Sequence, residues 1–151
     1  MRILEGLAAL RLCLGREVGV SDWLEIPQEM IDAFAAVTGD RQWIHIDVEK
    51  AQRESPYKTT IAHGFLTLSL LSRLHGQAVE IHGLSRIINY GLNRVRFPAP
   101  VPAGARLRTH STLQALEELP DCLQATWLIT VEVEGKAKPA LIAEWLVRLY
   151  P

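Results

Sequence analysis

Two short polar segments form the densest cluster of side chains in this chain that could carry chemistry. The first, TGDRQWIHID at 38–47, carries Asp40 and His45 five positions apart. A carboxylate and an imidazole beside one pocket can hold a water molecule, remove one of its protons and return a proton to a substrate. The same spacing also fits ordinary roles, a carboxylate at a helix end and a half-buried histidine. The spacing alone leaves both interpretations open.

The second segment, YKTTIAHGF at 57–65, places His63 and Gly64 at the start of a strongly apolar helix predicted for Phe65–His75. The first N–H groups of a helix have no partner within it and carry partial positive charge. A glycine there lets a ligand oxygen come close, so that the N–H can stabilise developing negative charge. We interpret His63 as a residue that braces the helix start through local hydrogen bonds and does not contact substrate.

Local patterns predict how the chain positions these residues. Apolar residues from Met30 to Val37 recur at helical spacing, and Gly39 supplies a stop just before Asp40. Asp47 is suited to cap the next short helix. Leucines surround most of the Phe65–His75 helix, which predicts that it is buried.

The second half of the chain changes to a period of two, most clearly from Leu123 to Val133. Strands are predicted at 17–26, 86–97, 106–116, 123–133 and 141–149. Helices followed by strands predict an α+β domain in which an antiparallel sheet wraps around the central buried helix. The open edges of such a sheet favour pairing with a second copy of the chain.

Composition restricts the class of protein. The chain has 151 residues, 48% of them hydrophobic and 22% charged, with a net charge of −1, which is typical of a globular domain without a polyanion partner. Cys13 and Cys122 are too far apart for a disulfide framework. Residues 1–15 are predicted to form an amphipathic helix on Ile3, Leu7, Leu10 and Leu14. We expect one domain over 1–151, a cytoplasmic location, and no nucleic-acid or membrane partner.

Three segments together resemble a known family. DRQWIHID at 40–47, IAHGFLTLSLL at 61–71 and INYGLNRVRFPAPVPAG at 88–104 are similar to the MaoC-like (R)-specific enoyl-CoA hydratases. The Gln42-Trp43 pair is closer to the branch that resembles nodulation protein N. The resemblance extends roughly from Val18 to Tyr150.

The resemblance implies a hot-dog fold and the reversible hydration of a trans-2-enoyl thioester to an (R)-3-hydroxyacyl thioester. It assigns water activation to Asp40 and His45, and polarisation of the thioester carbonyl to the Gly64 N–H. Ser72 would support the aspartate. Typical members carry Asn-Pro where this chain has Gln42-Trp43, so we expect Gln42 to bond locally and Trp43 to reshape the pocket entrance.

The expected substrate is an acyl-CoA or an acyl-carrier thioester, and no cofactor is expected beyond this carrier. The expected assembly is a homodimer or a higher homo-oligomer. We expect no metal, because His45, Asp47 and His63 lack a dense ligand spacing such as H-E-x-x-H. Four alternating arginines (Arg94, Arg96, Arg106 and Arg108) would suit the phosphates of coenzyme A, but a solvated outer sheet face is the favoured interpretation.

Two other functions fit the same fold. A thioesterase would need an acidic residue on the central helix, and none lies between Phe65 and His75. A non-catalytic module that binds acyl-CoA is suggested by Trp43 and the N-terminal segment. Serine hydrolase elbows, P-loops and dinucleotide-binding glycine motifs do not occur in the sequence.

Overall fold

The computed structural model describes residues 1–151. Six antiparallel strands form its main sheet. The strands are β1 (Arg2–Leu4), β2 (Glu17–Val20), β3 (Leu24–Glu25), β4 (Val79–Ile81), β5 (Arg86–Arg96), β6 (Arg106–Glu118), β7 (Leu123–Val133) and β8 (Leu141–Tyr150). The helices are α1 (Gly6–Arg11), α2 (Gln28–Thr38), α3 (Trp43–Ile46), α4 (Val48–Glu54), α5 (Gly64–Ser69) and α6 (Leu71–Ala78). The main sheet has the order β2-β6-β7-β8-β5, with β3 also paired to β6.

The predicted alternation is confirmed in the centre of the sheet. Every second side chain of β7 is buried, and Trp127 is only 1% exposed. Trp127 lies opposite Trp145 of β8 in the register of the two strands. The strand predicted at 17–26 is divided into β2 and β3. Between them the Thr109 N–H of β6 donates to the side-chain Oγ of Ser21 at 2.9 Å instead of to a backbone carbonyl.

The central helix consists of α5 and α6, which follow each other through Leu70. It packs on β6 and β8 through buried residues that include Leu66, Leu71 and Leu74. Phe65 on the opposite face is 68% exposed. The prediction of a helix buried all round is therefore wrong for a single chain, since the sheet covers only one of its faces.

The N-terminal helix predicted for 1–15 is much shorter than expected. Residues Arg2–Leu4 instead form β1, which pairs in parallel with β4, and the helix spans only Gly6–Arg11. Gly6 has φ of 79°, a conformation that interrupts a continuous helix from residue 1. Leu10 is buried as the spacing predicted, but Ile3 and Leu14 are exposed. No helix in the structure has the length and apolar character needed to cross a membrane.

Strand β5 is the open edge of the main sheet. It pairs with β8 on one side only, and Ile87, Tyr90 and Leu92 are among its exposed residues. Long apolar edge strands promote pairing with other chains. Bulges at Asn89/Gly91 and Leu92/Arg94 break its register with β8.

His75 connects the central helix to the sheet. Its Nδ1 lies 2.9 Å from the Ser111 Oγ. Its ring meets the Trp127 ring edge-on at 4.6 Å and the Trp145 ring at 5.3 Å. Burial lowers the pKa of His75 from 6.5 to about 4, because the charged imidazole would lose its hydration among these rings.

Acid should therefore destabilise the fold through His75. Below pH 6.5 the unfolded chain binds a proton at this residue while the folded chain does not, so the contribution present above pH 6.5 is lost as the pH falls towards 4. We expect the free energy of unfolding to fall by about 2 to 3 kcal/mol from this group between neutral pH and pH ~4.5. Urea unfolding at fixed protomer concentration measures it. His75→Gln should lack that part of the pH dependence, and an identical pH dependence in both proteins would contradict the assignment.

Candidate active site

Asp40 lies in the connection between α2 and α3. The predicted stop is confirmed: α2 ends at Thr38, and Gly39 follows with φ of 77°. The Asp40 N–H donates to the Thr38 Oγ1, and the Gln42 N–H donates to the Asp40 Oδ1, both at 3.4 Å. These turn contacts hold an exposed carboxylate at the end of a helix.

His45 lies on the short helix α3 and is 7% exposed. Its Nδ1 is 2.6 Å from the carbonyl oxygen of Ile61. A carbonyl oxygen can only accept, so Nδ1 carries the ring proton and Nε2 is left with a lone pair. The Ile61 N–H also donates to the Ile44 carbonyl at 3.0 Å. Two backbone contacts thus fix the ring and its tautomer.

The surroundings of His45 lower the pKa of its imidazole. Burial is the largest cause, and the neighbouring His63 adds to it, while the Ile61 carbonyl and the charge of Asp40 act in the opposite direction. The net lowering keeps the ring neutral at neutral pH. A neutral imidazole with a free Nε2 can accept a proton.

His63 packs directly on His45. The two rings stack with centroids 3.8 Å apart and planes 25° from parallel. The His63 Nε2 lies 2.9 Å from the backbone oxygen of Asp40, to which it donates, and the ring is 3% exposed. His63 makes no side-chain cap at the start of α5. It braces the loop that carries Asp40 instead of the helix start for which it was predicted.

A cavity of about 300 Å³ brings His45 and Gly64 together. Gly64 is the first residue of α5, and its N–H has no backbone partner. A Cβ at this position would lie 3.2 Å from the ring of Phe97. The cavity thus combines a proton acceptor with a free N–H at a helix start.

The segment between β5 and β6 forms one wall of this cavity through Phe97 and Val101. Neither residue was predicted to line the site, although both lie in the segment 88–104 that carries the family resemblance. The Ala62 N–H donates to the Val101 carbonyl at 2.8 Å, which fastens the wall to the segment before α5. Thr67, buried one turn into the helix, was also missed. Prolines give no periodic signal that predicts a cavity wall.

Several residues singled out from the sequence do not line this cavity: Asp40, Gln42, Trp43, His63 and Ser72. Asp40 is still close to it, since its carboxylate lies within 4.8 Å of a ring nitrogen of His45. Ser72 lies on α6 and lines two other cavities, so the support for Asp40 that the resemblance implied is absent within one chain. Eight residues of helix separate it from Gly64, a distance of about 12 Å. Gln42 contributes its backbone N–H to Asp40, and no hydrogen bond of its side chain is present. Trp43 lies under Lys50, with 4.8 Å from Nζ to the ring centroid. Tyr57, not Trp43 as expected, lines the cavity.

Two of the four alternating arginines have partners on the outer sheet face. Arg106 pairs with Glu134 at 3.2 Å, and Arg108 pairs with Glu132 at 2.6 Å. Both guanidinium groups also lie over the Trp23 ring. The outer-face interpretation is therefore confirmed for these two residues.

Asp40, His45 and His63 are the one cluster whose ligand atoms come within 4.8 Å of one another. Two of its ring nitrogens are already engaged, since the His45 Nδ1 and the His63 Nε2 contact backbone carbonyl oxygens. The two rings stack with centroids 3.8 Å apart. The metal-free site remains a prediction.

Comparisons with known proteins agree on one family. The family model described as "MaoC like domain" matches residues 11–124. The chain is 54% identical to "3-hydroxyacyl-thioester dehydratase Z" of Mycobacterium tuberculosis strain H37Rv over 149 residues, covering 98% of each protein. It is 44% identical to nodulation protein N of Rhizobium leguminosarum, covering 88% of this chain and 84% of that one. The solved (R)-hydratase of A. caviae superposes with a TM-score of 0.72 at 28% identity, over 88% of this chain and 96% of that chain.

The His45 imidazole should titrate below 6.5 and carry its neutral proton on Nδ1. Replacing Asp40 by Asn removes a charge that raises this pKa, so Asp40→Asn should lower it further. Nitrogen-15 and proton NMR titration of the imidazole measures both the pKa and the tautomer. Asp121→Asn, at an exposed position in the turn between β6 and β7, is the matched control. A rise of the pKa in Asp40→Asn, or a proton on Nε2, would refute this account of the site.

Proposed function

We propose that this chain, which belongs to the MaoC-like domain family, catalyses the reversible hydration of a trans-2-enoyl thioester to an (R)-3-hydroxyacyl thioester. One observation carries the proposal: the buried His45, with Nδ1 bonded to Ile61 and Nε2 free, shares a cavity with the Gly64 N–H. The Asp40 carboxylate lies within 4.8 Å of a ring nitrogen of this histidine. The names of a relative 54% identical and of a structure 28% identical support the direction and the R configuration. No cofactor takes part beyond the carrier of the thioester.

The first step is the attack of water on C3 of the substrate. The His45 Nε2 accepts a proton from a water molecule that Asp40 also holds, and the hydroxide bonds to C3. The Nδ1–H to Ile61 keeps the ring in the required tautomer and supports the positive charge that forms on it. His63 fixes the Asp40 loop against the same ring.

The second step returns a proton to C2. As hydroxide adds, negative charge collects on the thioester oxygen, and the unpartnered Gly64 N–H stabilises this enolate. The proton taken from water then passes from the Asp40 and His45 pair to C2. Water has been added across the double bond, and both side chains are in their starting states. Dehydration follows the same path in reverse.

The proposal includes a homodimer formed through the open side of the sheet. Strand β5 has unpaired backbone groups along one edge and apolar side chains such as Ile87 and Leu92, and Phe65 of the central helix is exposed on the adjoining face. A second copy that pairs with β5 would cover both surfaces. Cavities along this face would then lie close to the dimer interface.

Loss of either proton-transfer group should abolish most of the activity. We expect Asp40→Asn and His45→Gln each to lower kcat for hydration of crotonyl-CoA by roughly 10²–10⁴-fold. Loss of absorbance of the conjugated thioester measures the reaction. Asp121→Asn is the control that changes an exposed carboxylate in the turn between β6 and β7, away from the cavity.

Near-normal rates in both variants would overturn the mechanism. Release of free thiol without hydration would instead identify a thioesterase. Tight binding of acyl-CoA without turnover at any chain length would identify a non-catalytic binding module.

The chain should behave in solution as a particle of about twice 16.9 kDa. Light scattering coupled to size exclusion measures this mass. Leu92→Asp should shift the particle to the monomer mass, because a charge is then placed on the apolar face of the edge strand. Leu12→Asp is the control, as Leu12 is exposed in the turn after α1, outside β5. A monomeric wild-type chain would contradict the dimer.

A further inference from the structure

Thr67 is a buried hydroxyl residue that the proposed proton transfer does not use. It follows Gly64 by three residues in α5 and is 2% exposed. Together with His45 and Gly64 it lines the cavity of about 300 Å³. Buried polar side chains in folded proteins almost always have a hydrogen-bond partner, so a hydroxyl at this position needs an explanation.

The Thr67 hydroxyl makes no hydrogen bond within the chain. A serine or threonine inside a helix commonly donates to the carbonyl four residues earlier. The Thr38 Oγ1 does so in α2, at 2.8 Å from the Phe34 oxygen. The Ser69 Oγ does so in α5, at 2.7 Å from the Phe65 oxygen. Thr67 lacks this bond although Ser69 forms it in the same helix.

The carbonyl that would accept from the Thr67 hydroxyl is already occupied. The His63 oxygen accepts the Leu66 N–H at 3.0 Å and the Thr67 N–H at 3.2 Å. Three polar side-chain atoms are sealed inside the protein without a partner, and they belong to His63, Gln77 and Thr109. The Thr67 oxygen is not one of them, so it opens to the cavity that this residue lines.

Helix geometry places this hydroxyl beside the Gly64 N–H. Residues three apart lie on the same face of a helix, with Cβ positions about 5–6 Å apart. Helical side chains lean towards the N-terminus of the helix, so the Thr67 side chain leans towards Gly64. Gly64 has no side chain that would fill the space between them. A ligand oxygen in this space can accept from both groups.

We infer that Thr67 is a second catalytic donor, whose hydroxyl binds the thioester oxygen together with the Gly64 N–H. The inference rests on the proposed function, because it assumes that the thioester carbonyl lies at Gly64. The enolate oxygen carries more negative charge than the carbonyl from which it forms, so both hydrogen bonds strengthen in the transition state. Val101 and Ala140 line the same cavity, and their apolar surfaces strengthen these bonds by excluding water.

Thr67→Val tests the inference, because it keeps the shape of the side chain and removes the hydroxyl. We expect kcat for hydration of crotonyl-CoA to fall roughly 10²-fold with little change in KM, since the donor acts mainly in the transition state. Thr67→Ser keeps the hydroxyl and should retain most of the activity. Thr126→Val, the same change at a half-buried position of β7 outside the cavity, is the matched control.

The stability of the variant separates a catalytic role from a structural one. Because the Thr67 hydroxyl has no partner in the chain, a methyl group in its place leaves no buried group unsatisfied. Thr67→Val should therefore be at least as stable as the wild-type protein in urea, although it is slower. A marked loss of stability would overturn the inference, because it would show that the hydroxyl holds the fold.

The carbonyl stretch of a bound thioester tests the contact without turnover. The ligand is butyryl-CoA labelled with carbon-13 at the carbonyl, which is saturated and cannot be hydrated. Infrared difference spectra should show its carbonyl at a lower frequency in the wild-type protein than in water, and a smaller lowering in Thr67→Val. If Thr67→Val does not fold, Thr67→Ala gives the same comparison.

An equal carbonyl frequency in the wild-type protein and in Thr67→Val would overturn the inference even if the variant is slower. Normal turnover of Thr67→Val would overturn it as well, as would an unshifted carbonyl in the wild-type protein. A wild-type protein that lowers the carbonyl frequency through Thr67 but does not hydrate crotonyl-CoA would contradict the proposed function and support the donor.

Discussion

The hydrogen bond from the His45 Nδ1 to the Ile61 carbonyl is the contact on which the rest of the site depends. It decides which nitrogen carries the proton and leaves Nε2 as an acceptor. It also joins the segment after α2 to the segment before α5, so that His45 and Gly64 line the same cavity although they are distant in sequence. Burial of the ring lowers its pKa and completes the arrangement, because a charged imidazole could not accept a proton.

The fold that provides this contact leaves one face of the central helix and the outer edge of β5 uncovered. The central helix packs on the sheet with one face only, and β5 has no neighbour on its outer side. An apolar helix face and an apolar strand edge that remain in water favour association. The proposed dimer rests on this feature.

Much of the fold could be predicted from the sequence, because alternation and helical spacing are local signals. The long strands and the stop at Gly39 follow from such patterns. The short N-terminal helix and the exposed Phe65 do not, since they depend on pairing with β4 and on what the sheet fails to cover. At the site, Asp40, His45 and Gly64 were chosen from motifs, but the backbone carbonyl of Ile61 and the wall at Phe97 have no signature in residue type. Ser72, which the resemblance assigned to support Asp40, lies on α6 and does not line the cavity of His45 and Gly64.

In the proposed mechanism His45, Asp40 and Gly64 act on one thioester. A crystal structure of the Asp40→Asn protein with a bound trans-2-enoyl thioester is the decisive measurement. We expect the thioester oxygen about 3 Å from the Gly64 nitrogen, and one water molecule that faces C3 between residue 40 and the His45 Nε2. A thioester bound with its carbonyl away from Gly64, or an Nε2 bonded to a protein group instead of to water, would contradict it.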